Sequence, residues 1–526
     1  MALTEDNVLA LIAQPRTILL LSLLGTIICT VSWVIGLIRD PLRSIPGPTV
    51  TRYTALWYLR KIYKGEFHHE SIRLHEKHGK IVRIAPNMYS IDDIDAAKTI
   101  YGHGTKFLKA DWYSSWTAPA VWSVNLFAMQ DAKAHGVVRR QFAKYYSMTS
   151  MVHYEGYVDD SIRVFYRQLE AFSGARRALD MGAWLQYYAF DVIGNITFGK
   201  AFGYLDRAED INNMIAKLDQ SNLYSALMGL FPSAHALIVR VAESPAQVMI
   251  DYIKDLISQE KAKPKAVKDD KPIQENKNND DNNPARTEAF LRKFLTAHDR
   301  DPLTFTSTHL LFGCVQNIFA GSDTTAIALS SIIFHLTRNP SCLAKLREEI
   351  NAAAADGTIS DPVTFAQSQS LPYLQAVIKE ALRINPAVGL PLVRVVPAGG
   401  AMLCGEFFRE GTVVGINPWV AHYNKSIFGT DAHVFRPERW LGQGQDKDKD
   451  KTESSQTSSM DQYFLPFGLG SRTCIGKNIS LLEIGKLVPQ LVRNFDFELV
   501  SRQDALAGQN HWFVKPYGFE VIPCKL

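Results

Sequence analysis

The chain has 526 residues, of which 46% are apolar and 21% charged, so it can bury a large core without disulfide bonds. Lysine and arginine number 57 against 53 aspartates and glutamates, and so small an excess argues against a nucleic-acid-binding protein. The six cysteines include no C-x-x-C spacing, which excludes a secreted disulfide scaffold and predicts an intracellular protein with reduced thiols. Length alone would suggest about three domains.

An uncharged run near the N-terminus predicts a membrane anchor. Residues 17–38 carry no charged side chain, and a helix of this length would span roughly 33 Å, enough for the hydrocarbon core of a bilayer. A signal peptide usually has a shorter apolar region, and a core helix fits poorly before the Pro-Gly-Pro at 46–48. Arg39, Arg43 and Arg52 follow the run whereas Arg16 alone precedes it, so the positive-inside rule places the body in the cytosol.

The rest of the chain predicts one mainly helical body. The predicted organisation is a lumenal tail at 1–16, a transmembrane anchor at 17–38, a Pro-rich connector at 39–60 and a body at 61–526. Apolar residues at three- and four-residue spacing dominate the body, with strand-like pieces near 81–91, 411–416 and 518–522. Residues 261–286 and 443–460 are too polar to offset chain entropy, so we expect disordered surface insertions there.

One cysteine stands in a glycine-containing loop before a predicted helix at 477–495. Gly470 and Gly476 allow backbone turns around Cys474, and a thiolate at a helix N-terminus is stabilised by backbone N–H groups and the helix dipole. A lone thiolate without a partner histidine suits axial ligation of a haem iron better than hydrolysis. On the cysteine alone, a buried structural thiol is the commoner outcome.

The residues around this cysteine carry a family resemblance. Residues 467–476, FGLGSRTCIG, match F-x-x-G-x-R-x-C-x-G and resemble the haem-binding loop of the cytochrome P450 family. The resemblance implies that Cys474 ligates the iron of haem b and that Phe467, Gly468 and Arg472 contact the cofactor. It also implies a single helix-rich haem domain with small β-sheets in place of three domains.

A second motif lies in the apolar stretch at 305–336, which predicts a buried helix. Residues 320–325 read AGSDTT, and Asp323 is costly in such a helix unless it has a partner or a task. The match to the family's A-G-x-D-T-T implies an oxygen-binding groove in which Asp323 and Thr324 relay protons during dioxygen activation. Taken alone, a glycine beside threonines more often marks a helix kink.

Two short motifs imply a structural triad. Residues 380–383 read E-x-x-R and residues 437–440 read P-E-R-W. An i,i+3 ion pair is by itself a weak signal, because exposed pairs of this kind abound. In the family the two motifs bond to each other, so the resemblance implies that Glu380, Arg383 and Arg439 form a triad with a folding role.

Further basic residues are candidates for binding the haem propionates. His135 and Arg139 lie at i,i+4 and share a helix face, and Arg394 stands in LVRVVPAGG. The family places such residues against the propionates, and the arginine fork donates two bonds to a carboxylate. A surface charge for Arg139 and a satisfied core residue for His135 are the alternatives.

The predicted substrate pocket is aromatic. Residues 112–130 hold no charge and include Trp112, Tyr113, Trp116, Trp122 and Phe127. In the family this region borders the substrate, and residues 385–394 and the turn at Trp512–Phe513 would approach it too. Such a lining favours a large apolar molecule, terpenoid, polyketide or steroid-like, although ordinary core packing would explain the same residues.

The predicted electron source is a separate protein. Because no G-x-G-x-x-G opens a helix here, the resemblance implies an NADPH–cytochrome P450 reductase in the endoplasmic reticulum membrane. Basic residues could form its docking face, with a merely solvated face as the alternative: Lys133, Arg139, Arg140, Lys144 and Lys477. Residues 46–58 and 81–93 further resemble fungal members, among them the pisatin demethylase-like branch.

The sequence therefore predicts a haem-thiolate monooxygenase that hydroxylates or otherwise oxidises a hydrophobic fungal secondary metabolite. One alternative is a haem-thiolate isomerase or dehydratase that needs no reductase. The intact Asp323-Thr324 pair weighs against it, because proton relay serves dioxygen activation. The other alternative is a non-enzymatic haem-binding sensor.

Overall fold

The computed structural model describes residues 19, 20, 23, 30, 40–117, 119–242, 246–263, 287–441, 459–500 and 505–526. The predicted lumenal tail and nearly all of the predicted anchor lie outside these described residues. Most of both predicted insertions lies outside them as well. At the insertion edges, residues 261–262 and 459–460 are helical.

The described part of the chain is rich in helices, as the apolar spacing predicts. In chain order they are α1 Leu56–Tyr63, α2 Phe67–His78, α3 Ile94–Tyr101, α4 Ala132–Ala143, α5 Met148–Met151, α6 Glu155–Gly174, α7 Met181–Phe198, α8 Tyr204–Arg207, α9 Met214–Met228, α10 Pro232–Val241, α11 Gln247–Ala262, α12 Phe290–Arg300, α13 Ser307–Arg338, α14 Pro340–Ala355, α15 Phe365–Gln369, α16 Pro372–Ile384, α17 Pro418–His422, α18 Lys425–Phe428 and α19 Lys477–Asn494. Short 3₁₀ helices include Asp111–Trp116 and Gly470–Arg472.

The strands are short and form small sheets. They are β1 Ile81–Ala85, β2 Met88–Ile91, β3 Leu108–Lys109, β4 Leu179–Asp180, β5 Arg394–Val395, β6 Ala401–Leu403, β7 Glu406–Phe408, β8 Val413–Gly415, β9 Phe495–Leu499, β10 Gly508–His511, β11 Phe513–Pro516 and β12 Glu520–Lys525. The largest sheet has the order β1-β2-β8-β5-β3, and β4-β12-β9 form a second. The three strand-like pieces of the sequence thus correspond to β1–β2, β8 and β12.

Helix α13 runs through the core. Its sequence is apolar on all sides, and most of its residues are buried. It is long and apolar enough to cross a membrane, but 72% of its most apolar window is buried inside the protein, so it is a core helix. Polar side chains link it to its neighbours: Thr325 Oγ1 lies 2.9 Å from Ser480 Oγ of α19, and Asn317 Nδ2 donates to Thr197 Oγ1 of α7 at 3.1 Å.

The described part of the segment predicted as a connector, residues 40–60, makes contacts with the body. Leu42 and Ile45 are buried against the body, and Arg83 Nη2 on β1 donates to Asp40 Oδ2 at 2.5 Å. Helix α1 then begins at Leu56, before the predicted start of the body at residue 61. The Arg83 N–H also donates to Pro46 O at 2.8 Å, so apolar, ionic and backbone contacts together hold this segment against β1.

Candidate active site

The cysteine loop is a tight turn between 3₁₀ helix Gly470–Arg472 and α19. The backbone N–H of Cys474 donates to Phe467 O at 2.8 Å, closing the loop on itself. Gly468 and Gly470 have φ of 69° and 62°, which favours glycine. A Cβ on Gly470 would lie 1.9 Å from Tyr101 O, so the loop presses against the end of α3. The two glycines therefore allow the turn that presents Cys474.

The Cys474 thiol sits in an apolar, enclosed environment. Burial raises its pKa, although the backbone N–H groups of Gly476 and Lys477 and the charge of Arg139 act in the opposite direction. The side chain nevertheless retains exposed surface. Ala320, midway along the buried helix α13, is exposed as well. A metal ion bound to such a thiol replaces the proton and leaves a thiolate.

Basic side chains gather around this loop. Arg472 donates to Met129 O at 2.8 Å and to Gln130 O at 3.0 Å, on the segment that precedes α4. Arg394 on β5 pairs in the sheet with Lys109 on β3, and both side chains are buried. Burial, followed by repulsion from Arg394 and Arg139, lowers the pKa of Arg472 to about 10.

The same charges act on two neighbours. Burial and then Arg394, Arg472 and Arg139 lower the pKa of Lys109 well below its usual range. Burial and then Arg472 and Lys109 lower the pKa of His135 to about 3, so its ring is neutral. The sequence prediction missed Lys109, because a lysine in a two-residue strand carries no motif.

This cluster of positive charge fits an anionic group. Asp131, a carboxylate that acts on Arg472, is exposed at the N-cap of α4 and so offsets the buried charge only weakly. Haem carries two carboxylates, and Arg139, Arg394 and Arg472 suit them by charge and by fork geometry. The residues present therefore fit haem, with Cys474 for the iron and the basic cluster for the propionates.

The AGSDTT motif at 320–325 lies at the middle of α13. Thr324 Oγ1 donates to Ala320 O at 2.7 Å, a bond to the preceding turn that local helix distortion accompanies. A Cβ on Gly321 would lie 3.1 Å from Ile193 Cγ1 of α7, so glycine keeps the two helices close. Tyr146 ties this part of α13 to the cysteine side: its hydroxyl donates to Asn317 Oδ1 at 2.6 Å and its carbonyl accepts from Asn478 Nδ2 at 2.9 Å.

Asp323 is fully buried and has polar partners on three other elements. Gln186 Nε2 of α7 donates to its Oδ1, and Asn222 Nδ2 of α9 donates to its Oδ2 at 3.2 Å. Lys515 Nζ of β11 lies 3.1 Å from Oδ1. Burial raises the pKa of Asp323 even though Lys515 acts to lower it. The acid in the apolar helix thus has the partners that its burial demands.

The triad residues are in mutual contact and buried. Arg383 Nε and Nη2 donate to Glu380 at 2.9 and 2.8 Å, and Arg439 Nε donates to Glu380 Oε1 at 2.9 Å. Trp440 Nε1 also donates to Glu380 Oε2 at 2.9 Å. Burial acts to raise the pKa of Glu380, but Arg383 and Arg439 outweigh it and hold the pKa below its usual value.

His422 connects this triad to the segment that leads to the cysteine loop. Its Nδ1 lies 3.0 Å from Arg383 O, and its Nε2 accepts from the Leu465 N–H at 2.7 Å. Arg383 Nη1 in turn donates to His422 O at 2.8 Å. Sequence reasoning did not find this role. The only available signal was the position of His422 between the two triad motifs.

Sequence and geometry agree with a comparison against known families. The sequence model of the cytochrome P450 family matches residues 46–521. The chain belongs to the cytochrome P450 family. The resemblance seen in the motifs is therefore confirmed, together with the helix-rich fold that it implies. The family implies a haem ligated by a cysteine thiolate.

Curated relatives are fungal P450s, as the narrower resemblance predicts. Pisatin demethylase of Fusarium vanettenii is 41% identical over 480 residues, which cover 90% of this chain and 87% of that protein. A cytochrome P450 monooxygenase of Aspergillus terreus is 37% identical over 486 residues, 89% of this chain and 94% of the relative. One of Emericella nidulans is 33% identical over 497 residues, 92% and 94% of the two chains. The protein is thus a cytochrome P450 monooxygenase.

The predicted pocket aromatics form a packed cluster in this P450. Trp512 lies at its centre, with ring centroids 5.0 Å from Trp112, 5.7 Å from Trp116 and 5.6 Å from Phe127. The Tyr113 ring packs edge-to-face against the Trp112 ring, with centroids 5.1 Å apart. The side chain of Trp122 lies outside the described residues. A bridge between Val388 and Phe513 brings the segment 385–394 to the same turn. The three predicted segments therefore meet.

The basic residues predicted to dock a reductase are mostly at the surface. Lys133, Arg140, Lys144 and Lys477 are exposed, whereas Arg139 is half-buried. The first three lie on or beside α4, and Lys477 begins α19. Since Arg139 belongs to the cluster around Arg472, it differs in environment from the others.

Two buried histidines predict acid sensitivity. Burial lowers the pKa of His75 to about 4 and that of His422 to about 3, so both stay neutral in the fold. In the unfolded chain they take up protons near pH 6.5, and the free energy of unfolding therefore falls as the pH decreases from 6.5 towards 4. Each contributes a slope of about 1.4 kcal/mol per pH unit. Urea unfolding at several pH values gives the free energy of unfolding as a function of pH. Its slope against pH should be smaller by that amount in His422→Gln, and an unchanged slope would contradict the assignment of His422 as a buried neutral histidine.

Proposed function

We propose that this P450 is an NADPH-dependent enzyme of the endoplasmic reticulum membrane that hydroxylates or oxidatively modifies a hydrophobic fungal secondary metabolite. The observation that carries the proposal is the cysteine loop, which lies against a cluster of basic side chains, with Arg394 and Lys109 buried and Arg139 and Arg472 partly buried. In this assignment Cys474 binds the haem iron, and Arg139, Arg394, Arg472 and His135 hold the propionates, with Lys109 as an additional hydrogen-bond donor. Phe467 and Gly468 border the cofactor.

When bound, haem supplies the redox chemistry that activates dioxygen. The remaining tasks belong to side chains of the chain itself. Thr324 presents a hydroxyl at the exposed turn of α13. This hydroxyl donates to Ala320 O and can turn to donate its proton to a hydrogen-bond acceptor in the groove. Asp323 is the adjacent acid in sequence, and in this proposal it replaces the proton that Thr324 gives up. The basic cluster neutralises the cofactor's carboxylates, and the apolar surroundings exclude water.

The electrons come from an NADPH–cytochrome P450 reductase, which fits the exposed lysines and arginines beside α4 and at the start of α19. Lys477 stands three residues after Cys474, at the start of α19. Electrostatic attraction to an acidic partner would accelerate the encounter and weaken with salt. The uncharged run at 17–38 supplies the single-pass anchor, with the catalytic body in the cytosol.

The aromatic cluster favours a substrate with a large apolar surface. Aromatic side chains offer wide contact with flat ring systems. The Fusarium relative is named a demethylase, which makes oxidative demethylation one candidate outcome for this enzyme. Hydroxylation at an apolar carbon uses the same residues, so the two outcomes differ only in where the substrate is oxidised.

Thr324→Ala tests the function directly. Purified enzyme reconstituted with reductase should consume NADPH but form at least tenfold less product, because a general acid–base group contributes about 10²–10⁴-fold. Incorporation of one labelled oxygen atom from isotopically labelled dioxygen into the product would measure monooxygenation. Thr337→Ala is the matched control, since Thr337 Oγ1 bonds Ile333 O at 2.8 Å in the same helix. If both variants form the same amount of product per NADPH consumed, the proton role of Thr324 is wrong. Product formed without NADPH would favour an isomerase or dehydratase.

A further inference from the structure

The aromatic cluster contains a buried indole N–H that has no acceptor in the described part of the chain. This group is Trp116 Nε1. The Trp116 ring lies among other rings, with centroids 5.4 Å from Trp112, 5.7 Å from Phe127 and 5.7 Å from Trp512. A buried N–H without an acceptor costs free energy, because it has lost its bond to water and gained none in return. The donor is therefore available to an acceptor that arrives with a ligand.

Two other buried tryptophans do have acceptors for their indole N–H groups. Trp112 Nε1 donates to Ala226 O at 3.3 Å, and Trp419 Nε1 donates to Pro386 O at 2.9 Å. The contrast with Trp112 is informative, because this residue belongs to the same cluster and to the same 3₁₀ helix as Trp116. The lack of an acceptor at Trp116 is thus particular to its position and not a property of the cluster as a whole.

The backbone on both sides of the Trp116 side chain is held in place. Ser115 Oγ donates to Ser225 O of α9 at 2.7 Å, and Ser225 Oγ donates back to Ser115 O at 2.8 Å. Asn125 Nδ2 donates to Trp116 O at 3.0 Å. A donor that is positioned before the ligand arrives loses little conformational freedom on binding. The Trp116 N–H is therefore suited to recognition.

The ring at the centre of the cluster has an unusual backbone conformation. Trp512 has a φ of 92°, a value that is rare for a bulky side chain. Its N–H donates to Asn510 Oδ1 at 3.2 Å, and its carbonyl accepts from the Gly389 N–H at 2.8 Å. Strained residues of this kind are concentrated at ligand-binding and active sites. A strained residue and a donor without an acceptor thus occur in one cluster, which is typical of a surface shaped for a ligand.

We propose that Trp116 is a specificity-determining residue whose indole N–H donates a hydrogen bond to an oxygen atom of the substrate. The proposal rests on the proposed function, in which the aromatic cluster borders the substrate. It narrows the substrate class to apolar ring systems that carry an oxygen acceptor, such as a ketone, an ether or a lactone. A hydrocarbon of the same shape would leave the N–H without a partner. Because the bond fixes one end of the substrate, it also influences which carbon is presented for oxidation.

Trp116→Phe tests this role, since it removes the N–H and keeps an aromatic ring. The probes are fluorene, a hydrocarbon, and 9-fluorenone, which has the same ring skeleton and one carbonyl oxygen. Calorimetric titration of the haem-loaded protein gives both dissociation constants without any turnover. We expect the preference for 9-fluorenone over fluorene to fall about tenfold in Trp116→Phe, the effect of losing one buried hydrogen bond.

The carbonyl stretch of bound 9-fluorenone reports the bond directly. A hydrogen bond lowers the frequency of a carbonyl stretch, so the infrared band of the bound probe should lie lower in the wild type than in Trp116→Phe. Replacement of Trp116 by 3-benzothienylalanine puts sulfur in place of the N–H and keeps the shape of the ring. It should give the same two changes, and it is the deciding variant if Trp116→Phe does not fold.

Trp112→Phe is the matched control. The Trp112 N–H already donates to Ala226 O, so this substitution removes a bond of the fold from the same cluster. It should change the affinity for both probes by the same factor and leave the carbonyl band of 9-fluorenone at its wild-type frequency. If it lowers the preference for 9-fluorenone as much as Trp116→Phe does, the effect comes from altered packing and the role of Trp116 is wrong.

The remaining outcomes separate this proposal from the proposed function. If the preference and the carbonyl band are unchanged in both variants of Trp116, the role of Trp116 is wrong and the monooxygenase assignment stands. If Thr324→Ala leaves coupling unchanged while both readouts change in the Trp116 variants, the proton role fails and the role of Trp116 stands. If the wild type binds neither probe, the aromatic cluster does not receive such ring systems and the substrate class fails together with the role of Trp116.

Discussion

Cys474→Ser is expected to abolish the red-shifted Soret band that the reduced, haem-loaded protein forms with carbon monoxide. That band reports a thiolate opposite the carbon monoxide, and serine offers a hydroxyl that remains protonated at neutral pH. Monooxygenase activity should be lost with it, since the haem would no longer be held through a thiolate. The substitution is nearly isosteric, so the loop closed by the bond from the Cys474 N–H to Phe467 O should persist.

The control for this experiment is a second cysteine-to-serine change. Cys342 is buried and Cys404 is partly buried, and serine at either position should leave the red-shifted band intact. Haem content measured in the same preparations separates loss of ligation from loss of binding, because the basic cluster around Arg472 remains. A red-shifted band that survives in Cys474→Ser would show that another residue ligates the iron.

The sequence was most informative where a local pattern has a direct physical meaning. The apolar stretch at 305–336 predicted a buried helix, and α13 extends over Ser307–Arg338. The glycines beside Cys474 predicted a tight turn, and Gly470 has a φ of 62°. Both features depend on neighbouring residues alone, so a single sequence carries them. The match to the family motifs added the contacts among Glu380, Arg383 and Arg439, which spacing alone could not give.

Residues that meet through tertiary contacts were missed. Lys109 comes to the basic cluster because β3 pairs with β5, and neither two-residue strand has a readable pattern. Lys515 reaches Asp323 from a hairpin near the C-terminus, a pairing that no periodicity predicts. The prolines of the predicted connector likewise cannot reveal that Leu42 and Ile45 are buried. The sequence thus predicts secondary-structure elements better than it predicts which groups the charged side chains contact.

Glu380→Gln is expected to lower the free energy of unfolding by about 3–5 kcal/mol, the cost of leaving a buried charge without its partner. Glu380 accepts bonds from both Arg383 and Arg439, and all three side chains are buried. Arg383 also holds the backbone at His422, Ala432 and Val434. A loss of this size is a large part of the 5–15 kcal/mol that stabilises a typical protein. Urea unfolding and haem content of the purified variant would measure it.

The matched control is a surface pair of the same type. Lys425 Nζ lies 2.9 Å from Glu76 Oε1 with both side chains more than half exposed, and Glu76→Gln should cost less than about 1 kcal/mol. The pKa of Glu380 is held below its usual value, so its contribution is present above the carboxyl pKa of the unfolded chain, near 4.3, and declines as the pH falls below that value. The difference between wild type and Glu380→Gln should therefore narrow in acid. If the wild type and Glu380→Gln differ by less than about 1 kcal/mol in free energy of unfolding at neutral pH, other groups compensate the charges of the two arginines. His422 would then not link a rigid triad to the cysteine loop.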